Sequence, residues 1–393
     1  MFRHVKNDRY GLLVDIGSGS VGLAVCHSTN AKQPNVIWTH RQHVPIKSVE
    51  SVEESSKAIV TTLMQIMLEF EGPGRIALNT YHKSAKVDSM QVTIAAPWAY
   101  TTARTIKFEQ DEPFAISKEL VSDLATAAGQ QAIDEFSQQH SLESLGVVET
   151  SRCALDIYAN GYRLEKPNRQ KANIVTVTHA TTLARTEIIT AVTEMKEKLF
   201  ASAHIEITSY MLANYFSTRL LMPHIYDVCL VDITDEATEI GIVRDSSLKY
   251  STHVPFGRAS LAREVAKATN VPLHEAFTTL ANVQPPETKA SKEIKIINDA
   301  YVKRVVELFK ETGDRLTIPK NIYLETDRGL DLVFLPLIER AAEAASKGKV
   351  KVTVIKNKLL ASQEKDGRHS DIALLVAASF FHTSGERSHF EYL

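Results

Sequence analysis

The stretch from Leu12 to Val25 constrains the fold more than any other part of the sequence: two apolar runs flank a turn of small residues. The pattern predicts two strands, 12–16 and 21–25, that pair across a tight turn at Gly17–Ser20. Glycine lets the backbone approach a ligand, and serine hydroxyls and backbone N–H groups suit phosphate oxygens. Asp15 ends the first strand, where a carboxylate can hold a hydrated metal ion. The turn is therefore a candidate phosphate site, and an ordinary hairpin is the alternative.

A second unit of the same layout lies about half a chain further on. Residues 227–233 form an apolar run that contains Asp232 near its end, a polar turn follows at 234–236, and residues 237–243 resume the apolar run. Two such units indicate a duplicated fold that clamps a ligand between its halves.

Bulk properties exclude several classes of protein. A net charge of −2 gives no electrostatic support for a nucleic-acid partner. Cys26, Cys153 and Cys229 are isolated, so they are predicted to be reduced and not to form a disulfide or metal set. No apolar window reaches the length of a membrane span, and the polar start at Met1–Tyr10 argues against a signal peptide. The sequence predicts a cytoplasmic protein.

Between the two units, the block from Trp98 to Lys198 reads as an insert. Its pattern predicts strands at 105–108, 145–157 and 174–179, with helices at 117–136 and 182–198. Before this block, residues 52–70 carry apolar side chains at helical spacing, and Gly72-Pro73-Gly74 is predicted to stop that helix.

The order of these parts resembles the bacterial cell-division FtsA family and the type IV pilus PilM family, within the superfamily of actin, chaperone ATPases and sugar kinases. The resemblance covers residues 12 to about 381 and rests on several motifs. They are the two phosphate-loop units, the insert at its place in the first half, the strand and turns at Asp156–Gly161 and Lys166–Asn168, and the proline–glycine turn into a helix at His253–Leu261.

The resemblance implies an α/β fold: a duplicated actin-like (ribonuclease H-like) fold in two lobes with an inserted small strand–helix–strand–strand (SHS2-type) subdomain. The implied boundaries are 1–97 for the first lobe, 98–200 for the insert, 201–381 for the second lobe, which returns partly to the first lobe, and 382–393 for a flexible tail.

The resemblance also implies ATP and Mg²⁺ between the lobes. Asp15 would hold Mg²⁺ through water, and Asp15 or Asp232 would orient an attacking water if hydrolysis is catalysed. The chain would be at most a weak ATPase. The residues implied to contact the nucleotide are Asp15, Gly17, Ser18, Gly19, Ser20, Asp232, Thr234, Gly257 and Gly329.

The chain departs from the family pattern at three places. The second turn is Thr234-Asp235-Glu236, without glycine and with two carboxylates that repel a triphosphate, by about 1 kcal/mol per like-charge pair in water. The adenosine loop, 325–331, keeps Gly329 among charged residues. Residues 382–393 are too few and too polar for an amphipathic membrane anchor.

These features favour a cytoplasmic scaffold of the FtsA/PilM type, with ATP as a structural or regulatory ligand. The scaffold would self-associate into a filament or ring, and a membrane-protein partner of a division or pilus assembly would hold it at the inner face of the membrane. Two alternatives stay open: an interaction protein that kept the fold without nucleotide binding, and a phosphotransferase of the sugar-kinase kind.

Overall fold

The computed structural model describes residues 9–29, 33–45, 52–137, 146–164, 170–281, 289–311, 317–326, 330–346, 348–355 and 371–387. The strands are β1 (Arg9–Ile16), β2 (Ser20–Ser28), β3 (Asn35–His43), β4 (Ser89–Ile94), β5 (Ala99–Ala115), β6 (Val147–Ala159), β7 (Tyr162–Arg163), β8 (Lys171–Arg185), β9 (His204–Ser209), β10 (Val228–Ile233), β11 (Thr238–Arg244), β12 (Ser247–Val254), β13 (Asn321–Thr326) and β14 (Lys351–Val354).

The helices alternate with these strands along most of the chain. They are α1 (Val52–Glu69), α2 (Arg75–Tyr81), α3 (Lys118–Ser137), α4 (Thr186–Leu199), α5 (Tyr210–Leu221), α6 (Arg258–Thr269), α7 (Leu273–Ala281), α8 (Lys289–Lys310), α9 (Asp331–Ser346) and α10 (Ile372–Arg387), with a π-helical turn (Phe70–Gly74) between α1 and α2.

The first sheet has the strand order β3-β2-β1-β4-β9. β1, β2 and β3 form an antiparallel meander. β4 pairs in parallel with β1, and β9 pairs in parallel with β4. The apolar run at 11–16 is buried throughout because helices cover both faces of the sheet. α1 and α4 pack on one face, and α10 packs on the other.

The second sheet repeats this arrangement with the order β12-β11-β10-β13-β14. Again three antiparallel strands are followed by two that run parallel to the first of them. α6, α8 and α9 form a core on one face, and α5 packs on the other. β10 therefore takes the place of β1, and the β10–β11 turn corresponds to the β1–β2 turn.

A third sheet, β5-β8-β6-β7, carries α3 on one face. Two of its strands are much longer than the sequence predicts: β5 has 17 residues and β8 has 15. The helix predicted at 182–198 begins only at Thr186, because residues 181–184 are buried strand positions between β5 and β6. β-branched threonines suit that setting.

Two predicted ends are wrong. The helix at 52–69 is not stopped at Gly72-Pro73-Gly74, since a π-helical turn leads directly into α2. The wide π-helical turn accommodates Pro73. Gly74 leaves room for the ring of Phe70, because a Cβ on Gly74 would lie 2.9 Å from Phe70 Cδ2. Residues 382–387, predicted to be tail, extend α10, and His382 is buried with Nδ1 2.9 Å from Ser28 Oγ.

Several predictions lie outside the described residues. They concern the turn at 166–168, Gly329 in the adenosine loop, and the tail at 388–393. Among the helices that the structure describes, none has both the length and the apolar character needed to cross a membrane.

Candidate functional site

A cleft of about 330 Å³ lies at the carboxyl ends of β1, β10 and β13. Open α/β sheets commonly bind their ligands at this edge. The cleft brings together most of the residues predicted from the sequence, although they come from both sheets. Asp15, Gly17, Ser18, Gly19, Ser20, Asp232 and Thr234 all line it.

The first turn is held in shape by three hydrogen bonds to its backbone. The N–H of Gly17 donates to the carbonyl of Ser20 at 2.9 Å, which closes the turn. The indole N–H of Trp98 donates to the carbonyl of Gly17 at 3.1 Å. The N–H of Val44 donates to the carbonyl of Gly19 at 2.9 Å. The turn is therefore fixed before any ligand arrives.

Arg41, on β3, enters the cleft and binds three of its side chains. Its guanidinium donates to Asp15 Oδ2 at 2.7 Å and to Ser20 Oγ at 2.8 Å. It also holds both oxygens of Asp371, at 2.5 and 3.0 Å. The side chain crosses over Gly22, where a Cβ would lie 2.7 Å from its Nη2, so glycine is required beneath it.

The pKa values of Asp371 and Asp15 are shifted in opposite directions, although Arg41 lowers both. Burial raises the pKa of Asp15, and the neighbouring Arg41 offsets only part of that rise. Burial also acts on Asp371, but there Arg41 outweighs it and holds the pKa below its usual range. Asp371 accepts the N–H of Leu374 at 3.1 Å and so caps α10. Arg41 thus ties the first sheet to the start of α10.

The two turns touch each other directly. Ser18 Oγ donates to Thr234 Oγ1 at 2.8 Å. The backbone N–H of Glu236 donates to Ser18 Oγ at 2.7 Å. Ser18, predicted to cradle phosphate, is therefore bound to the second turn on both its donor and its acceptor side.

The carboxylates of the second turn are each paired with an arginine. Asp235 Oδ1 accepts from Arg258 Nε at 2.5 Å. Glu236 accepts from Arg263 Nη1 at 2.9 Å and from Ser260 Oγ at 3.0 Å. Both arginines lie on α6 or at its start, so this helix neutralises the acidic turn that precedes it.

A buried carboxyl group lies deeper in the cleft. Glu325 stands beside Asp232 on the neighbouring parallel strand, and Tyr210 donates its hydroxyl to Glu325 Oε2 at 2.5 Å. Burial and the charge of Asp232 raise the pKa of Glu325 well above its usual range. This shift favours the protonated form of Glu325, which lets the two carboxyl groups lie side by side.

ATP with Mg²⁺ does not fit this arrangement of side chains. Five acidic residues and two arginines line the cleft, which leaves an excess of acidic groups where a triphosphate would lie. The first turn is occupied by Asp235 and by the second turn's hydroxyl and N–H groups, and Asp15 by Arg41. Within the described residues, no group of three or more His, Cys, Asp or Glu is placed to hold a metal ion.

The structure places Gly257 behind the second turn, where it does not line the cleft. A Cβ on Gly257 would lie 2.3 Å from the carbonyl oxygen of Thr234 and 2.6 Å from the N atom of Ala237. The N–H of Arg258 donates to that same carbonyl at 2.9 Å. Glycine is needed here because the chain entering α6 packs directly on backbone, not because a nucleotide approaches.

Replacing Gly257 by alanine is expected to destabilise the protein by about 1–3 kcal/mol, because backbone on both sides must shift. Gly72→Ala is the matched control, since no atom lies within 4 Å of a Cβ there. Urea unfolding followed by circular dichroism measures both. An equal stability of the two variants would contradict the role given to Gly257.

Sequence reasoning missed Arg41, Asp371 and Tyr210 as parts of the site. Asp371 carried a local signal, because it stands directly before an apolar helix as a capping residue. Arg41 and Tyr210 carried none: Arg41 is a polar residue on an edge strand, and Tyr210 begins a helix that is largely buried.

Glu239, on β11, is a second buried carboxyl group near the cleft. Ser251 Oγ donates to its Oε1 at 3.3 Å, and Ala96 supplies a backbone hydrogen bond. Its Oε2 has no hydrogen-bond partner among the described residues. Burial raises the pKa of Glu239 to about 8.

Because of Glu239, the free energy of unfolding is expected to fall as the pH rises from about 4.5 to about 8. The unfolded chain releases this proton near pH 4.5, whereas the folded protein keeps it to about pH 8. Glu239→Gln removes the effect, so it should match the wild type at pH 4 and be more stable by at least ~1 kcal/mol at pH 8. Urea unfolding at both pH values, with exposed Glu109→Gln as control, checks this; equal stability at pH 8 would refute it.

No protein-family model and no curated protein sequence matches this chain. Solved structures do match it. A chain of the PilM–PilN type IV pilus biogenesis complex superposes with a TM-score of 0.61 at 12% identity, over 95% of this chain and 98% of that one.

Two further matches have lower scores. One is a Bacteroides thetaiotaomicron protein with an actin-like ATPase fold and unknown function, with a TM-score of 0.43, 10% identity and coverage of 96% and 99%. The other is the ethanolamine utilization protein EutJ from Carboxydothermus hydrogenoformans, with a TM-score of 0.42, 12% identity and coverage of 97% and 94%. At 12% identity, the likeness to the chain of the PilM–PilN complex shows the fold alone: this chain has the mixed α/β fold of that structure.

Proposed function

We propose that this chain is an actin-fold scaffold that works through protein–protein contacts, and that its own side chains, not ATP and Mg²⁺, hold its cleft closed. The observation that carries the proposal is the occupied cleft. Arg41 binds Asp15 and Ser20, and Ser18 is bound by the second turn. A kinase or ATPase needs these groups free for a nucleotide, so catalysis is not the role we assign.

The likeness to a chain of the PilM–PilN complex supports a protein partner, because that chain comes from a structure of a two-protein assembly. By analogy, we propose that the partner is a membrane protein and that this chain lies in the cytoplasm at the inner face of the membrane. Assignment to a pilus or a division assembly, and the PilM or FtsA type, belong to the same analogy.

The same proposal includes the domain organisation. The two five-stranded sheets with corresponding strand orders support a duplicated fold of two lobes. The third sheet with α3 supports a small subdomain inserted at 98–200.

Exposed apolar side chains on the helical segment α1–α2 support our proposal that this segment is a contact surface. Four of the large exposed apolar side chains lie on it, and Leu68 and Ile76 are 71% and 67% exposed. Met64 and Leu68 are one helical turn apart and so lie side by side. Apolar patches of this kind mark interaction surfaces.

Self-association is expected to depend on this segment. Sedimentation velocity over a range of concentrations should show oligomers for the wild type and mainly monomer for the Leu68→Lys/Ile76→Lys variant, because two charges cannot be buried cheaply in an interface. Leu332→Lys, at a side chain 80% exposed on α9, is the matched control. A wild type that stays monomeric throughout would contradict self-association.

Isothermal titration with ATP and Mg²⁺ tests the nucleotide part of the proposal. We expect no saturable binding to the wild type below millimolar ATP, and no change in Asp15→Ala. Micromolar binding that is lost in Asp15→Ala would instead establish a nucleotide-dependent scaffold with Asp15 at the metal.

A further inference from the structure

Across the cleft, Asp235 of the second turn lies against Gly19 of the first. An ideal Cβ on Gly19 would lie 1.8 Å from Asp235 Oδ2 and 2.5 Å from its Cγ. The carboxylate therefore occupies the space that any side chain at position 19 would need. Asp235 is only 5% exposed, so this contact is largely shielded from water.

Asp235 is held in this position by its side chain and by its backbone. Arg258 Nε donates to Oδ1 at 2.5 Å, and Arg258 Nη2 contacts the same oxygen. The guanidinium of Arg258 itself lies over the ring of Phe277, 5.4 Å from its centroid. The N–H of Ala259 donates to the carbonyl of Asp235 at 2.8 Å. The carboxylate is thus directed at Gly19 by a rigid support.

A turn of glycines and serines attracts anions, because its backbone lies bare and its polar groups point outward. The anion that the structure places on this turn is the carboxylate of Asp235. We propose that Asp235 is an internal ligand of the first turn: it takes the place of an external oxyanion and keeps the cleft closed. Without it, the turn and the freed Arg258 bind a phosphate-type oxyanion.

Arg41 takes the place of a cation in the cleft, as Asp235 takes the place of an anion. Arg41 lies between Asp15 and Asp371 and binds both. One arginine and one aspartate of the chain therefore supply the charges that a metal ion and a phosphate would otherwise bring. The proposal rests on the scaffold function above and adds the residue that shuts the cleft.

Titration with inorganic pyrophosphate, without Mg²⁺, tests the proposal calorimetrically. Asp235→Ala should bind pyrophosphate at least tenfold more tightly than the wild type, because it vacates the space over Gly19 and frees a guanidinium. Glu236→Gln is the matched control: it removes one negative charge from the same turn, but that side chain pairs with Arg263. Equal binding by the wild type and Asp235→Ala, or an equal gain in Glu236→Gln, would overturn the proposal.

A second variant keeps the test decisive if Asp235→Ala does not fold. Gly19→Ala leaves every charge in place but forces the carboxylate away from the turn. The amide of Glu236, which donates to Ser18 Oγ at 2.7 Å, reports the contact between the turns. Its hydrogen exchange should accelerate at least tenfold in Gly19→Ala. Unchanged exchange in a folded variant would mean that Asp235 does not hold the turns together.

Different results would contradict the scaffold proposal and the internal-ligand proposal. ATP and Mg²⁺ binding to the wild type would contradict the nucleotide-free scaffold. Absence of any gain in Asp235→Ala, with no ATP binding to the wild type, would contradict only the internal ligand.

Discussion

Replacing Arg41 by methionine is expected to lower the free energy of unfolding by about 3 kcal/mol. Removing one partner of a buried ion pair costs about 3–5 kcal/mol, since the remaining charge has lost both water and counter-ion. The lower end applies because the Arg41 and Asp371 side chains are 17% and 20% exposed. Asp15, whose side chain is 4% exposed, loses its counter-ion in the same variant. Methionine keeps the length and apolar stem of arginine, so little packing is lost.

Guanidinium chloride unfolding at pH 7 and at pH 3 measures this effect and its cause. The loss should shrink at pH 3, because protonated carboxyl groups need no counter-ion. Arg340→Met is the matched control, since the Arg340–Asp299 pair is half exposed and worth at most about 1 kcal/mol. A loss that is equal at both pH values would point to packing and not to the ion pairs.

Replacing Trp98 by alanine is expected to destabilise the protein by about 3–5 kcal/mol, the range for large aromatic residues truncated in a core. Trp98 is 1% exposed and belongs to the core between the first sheet and helices α1 and α4. Its indole N–H also donates to the carbonyl of Gly17 at 3.1 Å. The substitution therefore removes packing and one anchor of the first turn together.

Trp98→Phe separates the two contributions, because it keeps an aromatic ring and removes the donor. It should cost about 1–3 kcal/mol, the penalty for a buried carbonyl that loses its hydrogen bond. Circular dichroism in urea provides the stabilities, with Tyr162→Ala as the control at a side chain 78% exposed. If Trp98→Phe were as stable as the wild type, the bond to Gly17 would not anchor the turn.

Local patterns in the sequence predicted most of the elements that build the cleft. The apolar runs around residues 17–20 become β1 and β2 with their turn, and the run before Asp232 becomes β10. These predictions succeed because a buried strand, its terminal aspartate and a small-residue turn are each encoded within a few neighbouring residues. The lack of glycine at 234–236 was equally visible, and it indicated a changed second turn.

Predictions were less accurate where long-range contacts decide the outcome. β8 extends beyond its predicted end because its residues pair with strands on both sides. The π-helical turn at 70–74 continues a helix that glycine and proline would end in isolation, because Phe70 packs into the core beside Gly74. Local propensity is weak beside such packing.

By itself, the sequence determined that two strand–turn–strand units exist, that an aspartate stands near the end of each first strand, and that only the first turn is rich in small residues. The tertiary structure decided what occupies the cleft between them. Arg41 reaches Asp15 and Asp371, which are 26 and 330 positions away along the chain, and Asp235 lies on Gly19. No local pattern encodes such pairs, because the partner of a charge depends on which strands and helices meet in three dimensions.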